Sequence, residues 1–258
     1  MLRLLRKIFK SLISLIRRMN PTLKDIKDTE FNRIHYNTLS DNYFEIIEGR
    51  IPVLLSAPHG AKHLRNGEWK EEDEYTPSIA IKLGELTGAN VIFVRNKTKE
   101  DSNFLKKTRY KDAIKKLVQE KGIRFVVDIH GASEKHGFNI CVGTRSNKKD
   151  ESSCPSYIGI IENVLEDFQK DHLFNRQHFK AEGEGTITTF ACKVCKIEAA
   201  QFEISAKYRI IERKPDSSKA IERVDPDFKA KEEDVLKLVK LLVKLINEIN
   251  QGLVRIGQ

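Results

Sequence analysis

The architecture of this protein follows from two stretches, IPVLLSAPHG at residues 51–60 and RFVVDIHG at residues 124–131. Each is a short apolar run that is followed by a histidine and a glycine, His59-Gly60 and His130-Gly131. A continuous apolar run bounded by turn residues is typical of a strand that is buried on both faces, as in a parallel sheet. Open α/β sheets bind their ligands at the carboxyl ends of such strands. We therefore expect both histidines to lie at one functional edge of a sheet.

The elements around these stretches alternate between strand and helix, which predicts an α/β domain with a parallel sheet and right-handed crossovers. Residues 43–49 and 51–57 are expected to be strands in a hairpin-like arrangement, with a turn at residues 48–50. Residues 183–187 are expected to be a loop that precedes a strand around residues 188–192. The other predicted strands are 90–94, 125–129, 139–143 and 199–204, and the predicted helices are 76–87, 109–121, 156–168 and 231–250.

The composition is that of a single folded domain at residues 20–258 with an appended basic segment at residues 1–19. The chain has 258 residues, of which 40% are hydrophobic and 32% charged, and no apolar run approaches the roughly 20 residues that a membrane span needs. Four cysteines are few for this length, which favours a reducing, cytoplasmic environment over a disulfide scaffold.

The net charge of +9 is concentrated at the N-terminus, where residues 1–18 carry six cations and no acid. The remaining 240 residues carry only +3, which argues against a nucleic-acid-binding body. Residues 5, 8, 9, 12, 13 and 16 form one apolar helix face, so residues 1–19 are predicted to be a basic amphipathic helix. Such a helix can lie peripherally on a membrane surface. The alternative is a helix that is docked on its own domain or on a second subunit.

A zinc site is predicted from the two histidines and the acidic cluster at residues 71–74, because two histidines and one carboxylate are a common ligand set of catalytic zinc. A run of acids usually marks a solvated face, but this run directly precedes a helix that should begin above the same sheet edge. Asp73 and Glu74 are both candidate ligands. Asp128 lies on the same strand face as His130 and could accept the second N–H of that imidazole, or it could be a buried acid held by backbone amides.

Five motifs in this order resemble the N-formylglutamate amidohydrolase family, which is related to the zinc carboxypeptidases and to the aspartoacylase and succinylglutamate desuccinylase enzymes. They are residues 58–60 (PHG), 72–76 (EDEYT), 101–103 (DSN), 128–131 (DIHG) and 201–204 (QFEI), so that the resemblance covers about residues 52–209. It implies a zinc-dependent hydrolase of amide bonds. It also implies a three-layer α/β/α fold of the zinc-carboxypeptidase type, with a mixed, mostly parallel sheet of eight strands.

The resemblance also assigns roles to individual residues. His59, His130 and either Asp73 or Glu74 would bind zinc, and Glu203 would be the general base. A charged residue is costly in a strand-like apolar run, which favours a functional role for Glu203. Glu198 is the alternative, but it lies five residues earlier and so on the opposite strand face.

Asn103 and a nearby cation would bind the carboxylate of the substrate or polarise its carbonyl. Relatives often place arginine directly after this asparagine, where the present chain has Phe104. The cations that could replace it are Arg95, Lys106, Arg109 and Arg209. Arg209 is favoured because it follows Glu203 closely, although each of the four could equally be a surface cation.

Two hypotheses for function follow. The first is a zinc-dependent amidohydrolase of a small N-acyl amino acid or peptide-like substrate. The second is a non-catalytic ligand-binding module of the same fold that residues 1–19 tether to a membrane surface or a partner. The CxxC at residues 192–195 could also contribute to a four-cysteine zinc site with Cys141 and Cys154, but one CxxC alone is weak support for that interpretation.

Overall fold

The computed structural model describes residues 22–166, 168, 173–175, 177–217 and 229–256. The amphipathic segment at residues 1–19 therefore lies outside the described residues. Within the described ranges, no helix combines the length and the apolar character that a membrane crossing requires. The helices are α1 (Leu23–Arg33), α2 (Thr76–Thr87), α3 (Arg109–Lys121), α4 (Ile158–Glu166), α5 (Ile187–Phe190) and α6 (Glu232–Ile256). The strands are β1 (His35–Leu39), β2 (Phe44–Ile47), β3 (Ile51–Ala57), β4 (His63–Arg65), β5 (Glu68–Lys70), β6 (Ala89–Val94), β7 (Asn96–Lys97), β8 (Phe125–Ala132), β9 (Ile140–Gly143), β10 (Leu173–Phe174) and β11 (Glu198–Ser205).

The main sheet has the strand order β10-β9-β11-β8-β3-β6-β2. The central strands β11, β8, β3 and β6 run parallel, and β9 and β2 are antiparallel to their inner neighbours. Seven strands of the described residues belong to this sheet, whereas the family resemblance implies eight. The short strands β1 and β7 form a separate parallel pair.

Successive residues of β3, β8 and β11 pack on opposite sides of the sheet, as strand geometry requires. Val53, Leu55, Phe125 and Val127 join a core with α1, α2, α4 and α6. Leu54 and Val126 join a second core on the other face with α3 and α5. The protein therefore has the predicted three-layer α/β/α architecture with a mixed, mostly parallel sheet.

The hairpin expected for residues 43–57 is wrong. Strand β2 pairs antiparallel with β6, which lies between β2 and β3. Residues 48–50 pass over the start of β6 instead of turning back beside β2. Arg50 N donates there to Gly88 O at 2.7 Å. Gly49 packs so closely on Ala89 that a side chain would overlap the backbone there.

The strand expected around residues 188–192 is also wrong, since these residues form α5 and a π-helical turn at Ala191–Cys195. The β-branched sequence of Ile187–Thr189 favours a strand locally. The side chain of Thr186 instead accepts a hydrogen bond from Thr189 N at 3.1 Å and caps the helix. Burial of Ile187 and Phe190 in the second core then outweighs the local preference.

A candidate metal centre at the carboxyl edge of the sheet

Three side chains meet at the carboxyl ends of the central strands. His59 follows β3, His130 belongs to β8, and Asp73 lies in the segment that leads into α2. The Nδ1 atoms of the two histidines are 3.2 Å apart. Asp73 Oδ2 lies 3.4 Å from His59 Nδ1 and 3.3 Å from His130 Nδ1. The structure therefore brings together the two histidines and one of the two acids that the sequence proposed as a site.

The spacing of these three atoms fits a zinc ion. Zinc bonds of about 2.0–2.1 Å in a tetrahedron place neighbouring ligand atoms roughly 3.3 Å apart. The three measured separations, 3.2, 3.3 and 3.4 Å, lie around that value. The same side chains form one of the two groups of potential metal ligands found among the described residues.

The second nitrogen of each imidazole faces a buried carboxylate. His59 Nε2 lies 3.0 Å from Asp101 Oδ1, and His130 Nε2 lies 3.0 Å from Asp128 Oδ2, the acid that the sequence expected there. A carboxylate at Nε2 favours the tautomer in which Nε2 carries the proton and Nδ1 offers a lone pair. Both lone pairs then converge beside Asp73.

The electrostatics of the cluster are those of an anionic ligand between two imidazoles. Burial alone would raise the pKa of Asp73, but its contacts with His130 and His59 lower that pKa well below the usual range. Burial alone would lower the pKa of His130, but Asp128 and Asp73 raise it well above the usual value. The cluster thus favours positive charge at the point where the three donor atoms meet.

Glu74 does not share this position, because the side chains of residues 72–74 alternate in direction. Glu74 is fully buried and pairs with Arg213, and its other oxygen accepts from Ser217 Oγ at 2.9 Å. Ser217 Oγ also lies 2.6 Å from Glu72 Oε1. Glu72 and Glu74 therefore fix the segment on the side away from the cleft, while Asp73 faces the cleft.

Glu203 lies beside this cluster on the neighbouring strand. In the parallel register of β11 and β8, Glu203 is opposite His130, and Gln201 is opposite Asp128. Gln201 Nε2 donates to Glu203 Oε1 at 2.9 Å, and the carboxylate is 8% exposed at the wall of the cleft. Burial raises the pKa of Glu203 to about 7, an increase that His130 partly counters. A carboxyl group with such a pKa can exchange a proton near neutral pH.

A second group of potential ligands, His59, His63 and Asp101, lies behind the first. His63 stacks on His59 with ring centroids 4.1 Å apart, and burial lowers the pKa of His63 to about 3. Both oxygens of Asp101 are already occupied, since Oδ2 accepts from Arg65 Nε at 2.5 Å. The guanidinium would repel a second cation there, so this group is better explained as support for His59.

The cluster opens into a cleft of about 590 Å³. Asn103 lies in its wall, where its Oδ1 accepts from Ile187 N at 2.8 Å and directs the amide nitrogen towards Gln201. Arg65 also lines the cleft, and its guanidinium lies 5.3 Å from the ring centroid of Phe104. The lining residues are His59, His63, Arg65, Lys70, Glu71, Asp73, Asn103, Phe104, His130, Gly131, His178–Gly183, Thr186, Gln201 and Glu203.

None of the three arginines that the sequence proposed for substrate binding is among these lining residues. Arg95 lies 3.4 Å from Glu45, and Arg109 lies 3.4 Å from Glu100 on the surface. Arg209 is buried: its Nη1 donates to Glu74 O at 2.5 Å, and its guanidinium packs against Gly131. Arg209 therefore braces the backbone on both sides of the cluster. Lys106, the fourth cation considered from the sequence, pairs with Glu184 at the surface.

Two features of the site were not predicted from the sequence, the position of Arg65 in the cleft and the contact of Asp101 with His59. Asp101 belongs to a motif of the family resemblance, but nothing in its spacing predicts a partner 42 residues away. Arg65 lies in a polar segment without a pattern that distinguishes it from a surface cation. The four cysteines are free, and the two groups of potential metal ligands in the described ranges contain none of them.

Comparison with known proteins gave similarity in structure but not in sequence. No family model matches the chain, and no curated protein matches it. An N-formylglutamate amidohydrolase from Ralstonia eutropha JMP134 has a similar structure, with a TM-score of 0.51 at 12% identity, covering 81% of this chain and 98% of the other. A gene product of Agrobacterium tumefaciens has a TM-score of 0.52 at 13% identity, covering 84% of this chain and 96% of the other. At these identities the likeness establishes a shared fold, which agrees with the fold that the sequence motifs implied.

Proposed function

We propose that this protein is a zinc-dependent hydrolase of an amide bond in a small N-acyl amino acid or peptide-like substrate. The observation that carries the proposal is the arrangement of His59 Nδ1, His130 Nδ1 and Asp73 Oδ2, which lie 3.2–3.4 Å from one another. This arrangement faces a cleft that also contains the carboxyl group of Glu203, whose pKa is raised to about 7. The amidohydrolase named among the solved structures of this fold supports the type of bond.

Each residue of the site would have a distinct role. His59, His130 and Asp73 would hold the ion, and Asp101 and Asp128 would orient the two imidazoles. A bound zinc ion supplies a Lewis acid that polarises a carbonyl and acidifies water. Glu203 would accept a proton at its carboxylate and return it to the leaving amine. Gln201, which donates to Glu203 Oε1, would orient that carboxylate.

The cleft also supports an anionic group on the substrate. Asp101 and the ring of Phe104 hold Arg65 at the wall, whereas Lys70 and Lys180 pair with Glu68 and Glu182. The guanidinium of Arg65 thus lies against the side chain that stands where relatives often have arginine. A guanidinium can bind a carboxylate through two parallel hydrogen bonds, so Arg65 is our candidate for that contact.

The first experiment is elemental analysis of the purified protein for zinc and iron, because two histidines and one carboxylate can also bind iron. We expect about one zinc ion per chain in the native protein and none in His130→Ala. His136→Ala, which changes an exposed histidine outside the cluster, is the control and should retain the ion. A protein without zinc after reconstitution, or a His130→Ala variant that keeps it, would contradict the proposed site.

The second experiment separates catalysis from binding. Glu203→Gln should keep the metal but lose hydrolysis of a panel of N-acyl amino acids, with a decrease in kcat of at least about 100-fold. Unchanged turnover in this variant would remove Glu203 from the mechanism. A native protein that holds zinc and binds substrates without turnover would favour a ligand-binding module.

A further inference from the structure

Two segments that are distant in sequence form one wall of the cleft. The first segment is residues 103–106, shortly after Asp101. The second is residues 183–187, which includes the first residue of α5. Asn103, Phe104, Gly183 and Thr186 belong to these segments and line the cleft. We refer to the two segments together as the substrate wall.

The two segments of the substrate wall fit each other closely. Asn103 Oδ1 accepts a hydrogen bond from Ile187 N at 2.8 Å. A side chain at Gly185 would overlap the carbonyl oxygen of Phe104, so only glycine allows this approach. At the surface, Lys106 and Glu184 form an ion pair of 2.8 Å, which is exposed and contributes little.

Beneath the wall lies a buried lysine that contacts both segments. Lys111 is on the first turn of α3 and is only 1% exposed. Its ammonium donates hydrogen bonds to Leu105 O, just after Phe104, and to Gly185 O of the second segment. The ammonium also lies 5.7 Å from the ring centroid of Phe190 in α5.

Burial of this lysine costs free energy. Both hydrogen-bond partners of the ammonium are neutral carbonyl groups, and a buried ammonium loses much of its hydration. Burial lowers the pKa of Lys111 to about 8, although Asp128 and Asp101 counter this effect. A methionine would fill a similar volume without that cost, so the value of the ammonium lies in the geometry that it holds.

We infer that Lys111 is a positioning residue that joins the two segments of the substrate wall and thereby holds Asn103 and Phe104 in place for substrate binding. The link to substrate rests on the proposed function. The joining of the segments does not, because it follows from contacts of Lys111 and Gly185 alone.

Limited proteolysis tests the joining without a substrate. Lys106 and Lys107 are exposed in or next to the first segment, so trypsin can cleave after them once the segment opens. In Lys111→Met, cleavage there should be at least about tenfold faster than in the native protein, because the variant loses the charged hydrogen bonds to both segments. Gly185→Ala should have an effect of similar size, because its methyl group would overlap the carbonyl oxygen of Phe104 and separate the segments. Lys116→Met removes an exposed lysine of the same helix and should leave the rate unchanged. Circular dichroism and thermal unfolding establish that each variant is folded at the assay temperature.

Steady-state kinetics and metal content test the consequence for substrate. Lys111→Met should retain its metal and show a KM raised about tenfold, with kcat changed by less than about threefold, since the wall binds substrate and the cluster does not move. Cleavage rates in Lys111→Met and Gly185→Ala that stay within about twofold of the native rate would overturn the inference. Loss of the metal in Lys111→Met would overturn it too. Failure to find any hydrolysed substrate would instead count against the proposed function, and the proteolysis result would still stand.

Discussion

The cluster of His59, Asp73 and His130 and the substrate wall lie in the same cleft but are built in different ways. His59 and His130 come directly from the ends of central strands, and each imidazole is held by a buried carboxylate. Asn103 and Phe104 come from an irregular segment, which a buried lysine and close backbone packing hold in place. The positions of the two histidines therefore depend on the sheet, whereas those of Asn103 and Phe104 depend on contacts between loops. Changes to the two regions should therefore affect different measurements.

The largest effect should come from the acid that faces the cleft. Asp73→Asn removes the negative charge between the two histidines, so we expect zinc affinity to fall by more than about 100-fold, beyond the range for residues that only orient ligands. Competition with a chromogenic chelator measures this affinity. Glu74→Gln is the matched control, because Glu74 pairs with Arg213 instead. A larger loss of affinity in Glu74→Gln than in Asp73→Asn would reverse our assignment.

A smaller effect on the same cluster should follow from the carboxylates behind it. Asp101→Asn and Asp128→Asn keep the shape of the side chains but weaken their hold on His59 and His130. Each should lower zinc affinity by about 10- to 100-fold. Asp101→Asn should in addition raise KM, because Asp101 also holds Arg65. Equal values of KM in the two variants would show that Arg65 does not depend on Asp101.

The same contrast explains which features could be predicted from the sequence. The pattern of apolar run, histidine and glycine at residues 51–60 and 124–131 predicts two strand ends at one sheet edge, and both histidines lie there. The choice between Asp73 and Glu74 depends on Arg213 and Ser217, which are about 140 residues away and leave no local signal. Arg65 could not be distinguished from other cations, because its role depends on Asp101 and Phe104 in another segment.

Recognition should be more sensitive than chemistry to the loss of Arg65. In Arg65→Gln, we expect KM for anionic N-acyl amino acids to rise about 10- to 100-fold, the loss of one or two charged hydrogen bonds, with little change for neutral analogues. Arg65→Lys should recover only part of this loss, because a lysine cannot make the paired contact. Arg109→Gln is the control outside the cleft. A similar rise in KM for anionic and neutral substrates would mean that Arg65 shapes the cleft without binding a carboxylate.

The smallest effect on activity, but a measurable one on stability, should come from Glu30, which lies outside both regions. Burial raises the pKa of Glu30 from its usual 4.5 to about 7, although its carboxylate accepts hydrogen bonds from Ser78, Tyr36 and Tyr75 N. The folded state therefore binds this proton more tightly than the unfolded state. The corresponding stability is fully present below pH 4.5 and is lost as pH rises to about 7, a decrease of about 3 kcal/mol.

Glu30→Gln should flatten this part of the stability profile, which urea unfolding at a series of pH values would measure. The variant also sharpens any pH study of the cleft. Because the pKa of Glu203 is likewise raised to about 7, a change in activity between pH 5 and 8 in the native protein could arise from either acid. In Glu30→Gln the contribution of Glu30 to stability is removed, so a pH dependence of kcat that persists there does not arise from Glu30. Its disappearance would show that unfolding, and not the chemistry of the site, had produced it.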